Sequence, residues 1–165
     1  MRRFEGDGSM NIVYKEAVKE DYEDLIRLRI GNMRENYKEV SEQAAECMEK
    51  HLTDYFDRKL GKELFVFTAR DEGRLVGTAY LMVIEGPANV WSLNGLYGEV
   101  RGVYTLPEYR GKGICTRLMT DLVERGREIG LSSIQLDSTE QGYQIYKKVG
   151  FEDAEQEFAA MEIVF

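Results

Sequence analysis

Between Glu99 and Cys115 the chain reads Glu-Val-Arg-Gly-Val-Tyr-Thr-Leu-Pro-Glu-Tyr-Arg-Gly-Lys-Gly-Ile-Cys, and no other passage constrains the fold as much. A strand-like run stops at Pro107 and passes through Arg-Gly-Lys-Gly into a helical pattern. A loop at a helix start gathers backbone N–H groups without intrahelical partners, at the positive end of the helix dipole, and so suits phosphate oxygens. Gly111 and Gly113 let a ligand approach the backbone without a Cβ in the way. Arg110 and Lys112 add charge. The passage reads as a pyrophosphate cradle.

At 165 residues the chain is expected to form one domain. Residues 1–9 lack periodicity and precede a second methionine, Met10, so they read as a disordered leader or tag remnant, leaving 10–165 as a single domain. The net charge of -8 argues against duplex nucleic acid as a partner and is compatible with cationic substrates. Cys47 and Cys115 suggest no disulfide framework. With His51 the one histidine and no Cys/His cluster, no metal site is expected. No apolar run reaches membrane-spanning length and no signal peptide is visible, so the cytoplasm is the expected location, with no membrane partner.

Alternation over Asn11–Ala17 predicts a first strand. Asp21 is placed to cap a helix carrying Tyr22, Leu25, Ile26, Ile30, Met33 and Tyr37, and Ser41 to cap a second that ends at Gly61. Glu63–Arg70 and Arg74–Ile84 read as a hairpin around Asp71-Glu72-Gly73. Pro87–Gly98 reads as a long connection suited to a substrate loop, with Trp91 either stacking on a substrate or anchoring the loop. A strand over Glu99–Thr105, a helix over Ile114–Ile129 ended by Gly130, a strand over Ser133–Asp137, a helix over Gln141–Lys148 and one or two closing strands in Phe151–Phe165 complete the order. The fold class expected is α/β (α+β by some definitions): a twisted mixed, mostly antiparallel sheet of six to seven strands flanked by about four helices.

Two familiar phosphate grammars fail at the cradle. The P-loop needs Gly-Lys-Ser/Thr four residues after its first glycine, and the dinucleotide fingerprint needs a small residue where Thr116 stands. What remains is Arg/Gln-x-x-Gly-x-Gly/Ala, and on this pattern the chain resembles the GNAT N-acetyltransferase superfamily, which uses acetyl-CoA, from about Asn11 to the C-terminus. A second passage, Asp137–Phe151, is similar to that family's strand-to-helix segment ending in Tyr-x-x-x-Gly-Phe, with Thr139 and Gly142 matching a common variant. Cys115 departs from the pattern, standing where the family usually has Gly or Ala.

The resemblance implies a splayed parallel strand pair holding the coenzyme, and roles for particular residues. Backbone N–H groups of Gly111, Lys112, Gly113, Ile114 and Cys115 would hold the diphosphate, with Arg110 and Lys112 assisting. Main-chain groups of Val103, Tyr104 and Thr105 would pair with the pantetheine arm as an added strand does. The Val103 amide would polarise the acetyl carbonyl, Tyr146 would protonate the departing thiolate, and Thr139 would lie along the coenzyme. An attacking amine must be neutral, so a proton acceptor is expected; Glu99, eleven residues before Arg110, is the candidate, with a solvated strand-start residue or water as the alternative. Tyr146 is preferred to Tyr143 because Gly150-Phe151 follows it. Arg101 stands either as a contact to an acidic group on the acceptor or as an ordinary paired charge.

The expected function is transfer of an acetyl group from acetyl-CoA to a primary amine by direct attack through a ternary complex, without metal or nucleic acid, in a chain that the family suggests as a homodimer. A non-catalytic acyl-CoA sensor, or a transferase of another acyl group, is the alternative.

Overall fold

The computed structural model describes residues 10–37, 39–154 and 161–164. The leader, 1–9, lies outside the described residues.

Five strands form one sheet in the order β1 (Ile12–Glu16), β2 (Leu64–Asp71), β3 (Arg74–Glu85), β4 (Leu96–Thr105), β5 (Ile134–Gln135). The first four are antiparallel neighbours, and β4 and β5 run parallel. Four α-helices flank them: α1 (Tyr22–Asn36), α2 (Glu42–Lys59), α3 (Ile114–Glu128) and α4 (Glu140–Val149). The mixed, mostly antiparallel architecture and the parallel pair are those expected. The strand count is five among the described residues, below the six to seven anticipated. Within the expected closing strands, 151–154 and 161–164 belong to no strand, and 155–160 and 165 lie outside the described residues.

Each face of the sheet buries one apolar layer. On one face Ile114, Leu118, Met119 and Leu122 of α3, spaced so as to share one side of a helix, are fully or almost fully buried against Phe67, Val76, Leu81 and Val100. On the other, Leu25 and Leu28 of α1 and Phe56 of α2 close over Val66, Leu75 and Tyr80. α3 also supplies the crossover that a parallel pair requires.

Local chemistry sets the boundaries. Ser41 caps α2, its Oγ accepting from the Ala44 N–H at 3.1 Å. The β2–β3 turn puts Glu72 and Gly73 at φ of 47° and 85°, the conformation a two-residue hairpin demands. Asp21 stands at the N-terminus of α1 but does not cap it. Its carboxylate turns back, accepting from Val18 N–H at 2.9 Å and pairing with Arg70 at 2.6 Å. A largely buried arginine outcompetes the helix amides for that anion.

Two irregularities of β4 prepare the site. Opposite Ala79 of β3 stand two residues, Gly102 and Val103, because Thr78 pairs with Tyr104 and Tyr80 with Arg101. Gly102 has φ 59°, and a Cβ there would stand 2.6 Å from the Tyr80 ring. On its other edge β4 pairs with β5 only through Gly98 and Glu99, far short of the Ser133–Asp137 strand expected. From Val100 to Thr105, no described strand lies along that edge of β4.

Candidate coenzyme site and catalytic residues

The open edge of β4 faces a cavity of about 510 Å³. Its walls are Val103, Tyr104 and Thr105 on β4, the Tyr109–Thr116 passage without Lys112, one side of α4 from its cap Thr139 to Lys148, and the end of α1. The cradle passage takes its shape from glycine. Gly111 and Gly113 have φ of 73° and 79°, and space around both is open on the side where a Cβ would project. Gly113 occupies the N-cap of α3. The Arg117 N–H is the first to reach back along the helix, to the Gly113 carbonyl at 3.0 Å. The amides of Ile114, Cys115 and Thr116 therefore stand outside the helix's own ladder, where the dipole is positive.

Arg110 has three partners among the described residues. Its Nε donates to the Thr105 carbonyl at 2.9 Å, and its guanidinium lies over the Tyr104 ring at 5.6 Å. Its Nη2 donates to both oxygens of Glu35, at 2.7 and 2.8 Å. Tyr104 Oη donates to Glu35 Oε2 at 2.9 Å. The hydrogen bond from Arg110 is the main reason the Glu35 carboxyl is held below the usual carboxylate range, with partial burial opposing it and Tyr104 assisting. Lys112 is turned elsewhere: its Nζ donates to the Glu108 carbonyl at 3.0 Å and stands over the Tyr109 ring. Thr139 lines the cavity but gives its hydroxyl oxygen to capping α4, accepting from Gly142 N–H at 3.2 Å.

Tyr146 borders two cavities, the one just described and a second of about 650 Å³ that also contains Glu99. Its ring meets Phe151 edge-on at 6.1 Å. Burial, with a contribution from Cys115, pushes its phenol up to about 12, so it is protonated at neutral pH. Burial likewise pushes the Cys115 thiol up to about 11, leaving it a poor nucleophile. Tyr143 is occupied, donating to Asp153 at 2.9 Å.

Glu99 is not on the cradle cavity. It lies on the second cavity, ion-paired with Arg101, which also reaches Asp137 at 3.0 Å. Arg101 is thus a doubly paired charge here. Trp91 stands 82% exposed at the tip of the β3–β4 connection, borders neither cavity, and donates its backbone N–H to the Asn89 side chain at 2.9 Å.

Sequence reasoning missed three polar residues on the last turn of α1: Asn32, Glu35 and Asn36, all on the cavity wall. One signal was available. Asn32 is only 6% exposed and continues the buried series Leu25, Leu28, so a polar residue interrupts an apolar stripe. Its side-chain oxygen accepts from Asn36 Nδ2.

Residues 25–151 match the model of the "Acetyltransferase (GNAT) family". A glucosamine 6-phosphate N-acetyltransferase from Trypanosoma brucei brucei is 34% identical over 101 residues. That alignment covers 61% of this chain and 66% of the relative, just under two thirds of its length. Among solved structures, one from Clostridium acetobutylicum, described as a predicted acetyltransferase with acetyl-CoA, superposes with a TM-score of 0.80 at 28% identity, covering 92% of this chain and 96% of that one. A GCN5-related N-acetyltransferase from Ralstonia eutropha, at 22% identity and a TM-score of 0.75 over 92% of this chain and 99% of its own, shares the fold. Around one cavity the chain gathers a glycine cradle, an open strand edge and a half-buried tyrosine, and on the match of residues 25–151 to its model it belongs to the acetyltransferase (GNAT) family.

Proposed function

We propose that residues 10–165 act as one catalytic domain that moves the acetyl group of acetyl-CoA to a primary amine within a ternary complex. The observation that carries this reading is the coincidence, on one cavity, of amides outside the ladder at the start of α3, a β4 edge that no described strand pairs, and the protonated phenol of Tyr146. The amides from Gly111 to Cys115, with Arg110, suit the diphosphate. The edge at Val103 and Thr105 suits the two amide groups of the pantetheine arm.

The chemistry follows from that placement. The amine nitrogen attacks the thioester carbon, forming the C–N bond while the carbonyl oxygen gains negative charge that the Val103 N–H stabilises. As the C–S bond breaks, Tyr146 gives its proton to the sulfur. The proton lost by the amine passes to Glu99 through water. The second cavity, on which both Tyr146 and Glu99 lie, is then the approach for the acceptor.

The Trypanosoma relative makes glucosamine 6-phosphate the first acceptor to try. A sensor that only binds coenzyme has no use for a half-buried, protonated phenol at this place, which favours the transferase. Coenzyme A release with acetyl-, propionyl- and succinyl-CoA against a panel of amines, including amino sugars, polyamines and peptides, tests the reading. Release above the hydrolytic background with acetyl-CoA and at least one amine is expected. Binding without turnover across the panel leaves the sensor.

A further inference from the structure

Glu35 ends a helix that carries no part of the cradle motif, yet its carboxylate is the anion bound by the cradle's arginine. Arg110 donates its Nε–H to the Thr105 carbonyl, and its guanidinium carbon lies 5.6 Å from the centre of the Tyr104 ring. Of the remaining guanidinium nitrogens, Nη2 donates to both oxygens of Glu35, whose Oε2 is steadied by the Tyr104 hydroxyl. Two carboxylate oxygens offer an arginine the same acceptor pattern as two oxygens of a phosphate. Both residues line the 510 Å³ cavity.

Resting on the reading of that cavity as a coenzyme site, we propose that Glu35 is an internal stand-in for the coenzyme's diphosphate: it holds Arg110 in place until the coenzyme displaces it, and thereby sets coenzyme affinity. The side chains of Arg110 and Glu35 are 40% and 38% exposed, so the pair is a weak one that a multiply charged phosphate ester can displace. Glu35 also links α1 to the cradle: once released, its carboxylate stays on the same helical turn as Asn32 and Asn36, on the wall of the same cavity.

Calorimetric titration of the full chain with coenzyme A tests this, comparing the wild type with Glu35→Gln, Glu35→Ala, Arg110→Gln and the Glu35→Gln/Arg110→Gln double variant. Removing the internal competitor is expected to tighten coenzyme A binding about threefold. Arg110→Gln is expected to weaken it, and in that background Glu35→Gln gives no gain, because its effect runs through Arg110. A contact that merely braces α1 yields no gain on removal. Affinity in both Glu35 variants equal to or weaker than wild type overturns the proposal, as does a gain that survives without Arg110. Absence of any binding heat in the wild type overturns the coenzyme-site reading itself, and this inference with it.

Discussion

The phenol ring of Tyr146 lies across Gly142, so closely that a Cβ at position 142 would stand 2.7 Å from its Cε2 and 3.2 Å from its hydroxyl oxygen. The two residues are one helical turn apart on α4, and the bare backbone at 142 makes room for the ring beside the cavity. Phe151 closes the other side. The phenol's position is therefore set by packing, and its proton is retained because burial penalises the charged form.

Tyr146→Phe keeps that packing and removes only the hydroxyl. Steady-state kinetics is expected to show kcat lower by about two to four orders of magnitude, the range for losing a general acid, with Kd for coenzyme A unchanged. With the phenol raised to about 12, no alkaline loss of activity from Tyr146 is expected below about pH 11 in the wild type. Unchanged kcat in the variant excludes Tyr146 from the proton transfer.

Glu99→Gln distinguishes a base from a charge partner. A neutral amide accepts no proton, so kcat near neutrality is expected to fall by about two orders of magnitude. The deficit shrinks at high pH, where the acceptor amine is already uncharged. A pH profile parallel to that of the wild type assigns Glu99 to its ion pair with Arg101 alone.

The two cysteines are expected to differ in reactivity. Cys47 is exposed, whereas Cys115 is partly buried with its thiol pushed up to about 11. At pH 7.5, iodoacetamide followed by peptide mass spectrometry is expected to find Cys47 alkylated and Cys115 largely intact. Faster modification of Cys115 contradicts its placement against Tyr146.

Closure of the parallel pair depends on a missing side chain. A Cβ at Gly98 would stand 2.8 Å from Leu81 Cδ1 and 2.9 Å from Leu131 Cδ1, and Gly98 is also where β4 meets β5. Gly98→Val is expected to cost about 1–3 kcal/mol by overpacking, read as a lowered Tm. A Tm unchanged from wild type contradicts this register.

What the sequence revealed was whatever depended on neighbours in the chain. Gly111 and Gly113, the Glu72-Gly73 turn, the Ser41 cap and the apolar side of α3 each follow from residues a few positions apart. What it concealed was decided across the fold. Asp21 looks like a cap until Arg70, 49 residues away, claims its carboxylate. Lys112 belongs to the cradle in sequence, but a nearby carbonyl and ring draw its ammonium aside. Glu35 enters the site only because the end of α1 meets the loop after β4, 75 residues on. The length of β5 was equally hidden, since pairing stops where the edge of β4 opens.

The most direct test of the coenzyme cavity is a titration of the ¹⁵N-labelled chain with coenzyme A, followed by amide NMR. Resonances of Gly111 to Cys115, Val103 and Thr105 are expected to shift together at stoichiometric coenzyme. Saturation that leaves those amides unmoved, with shifts confined to other surfaces, contradicts that expectation.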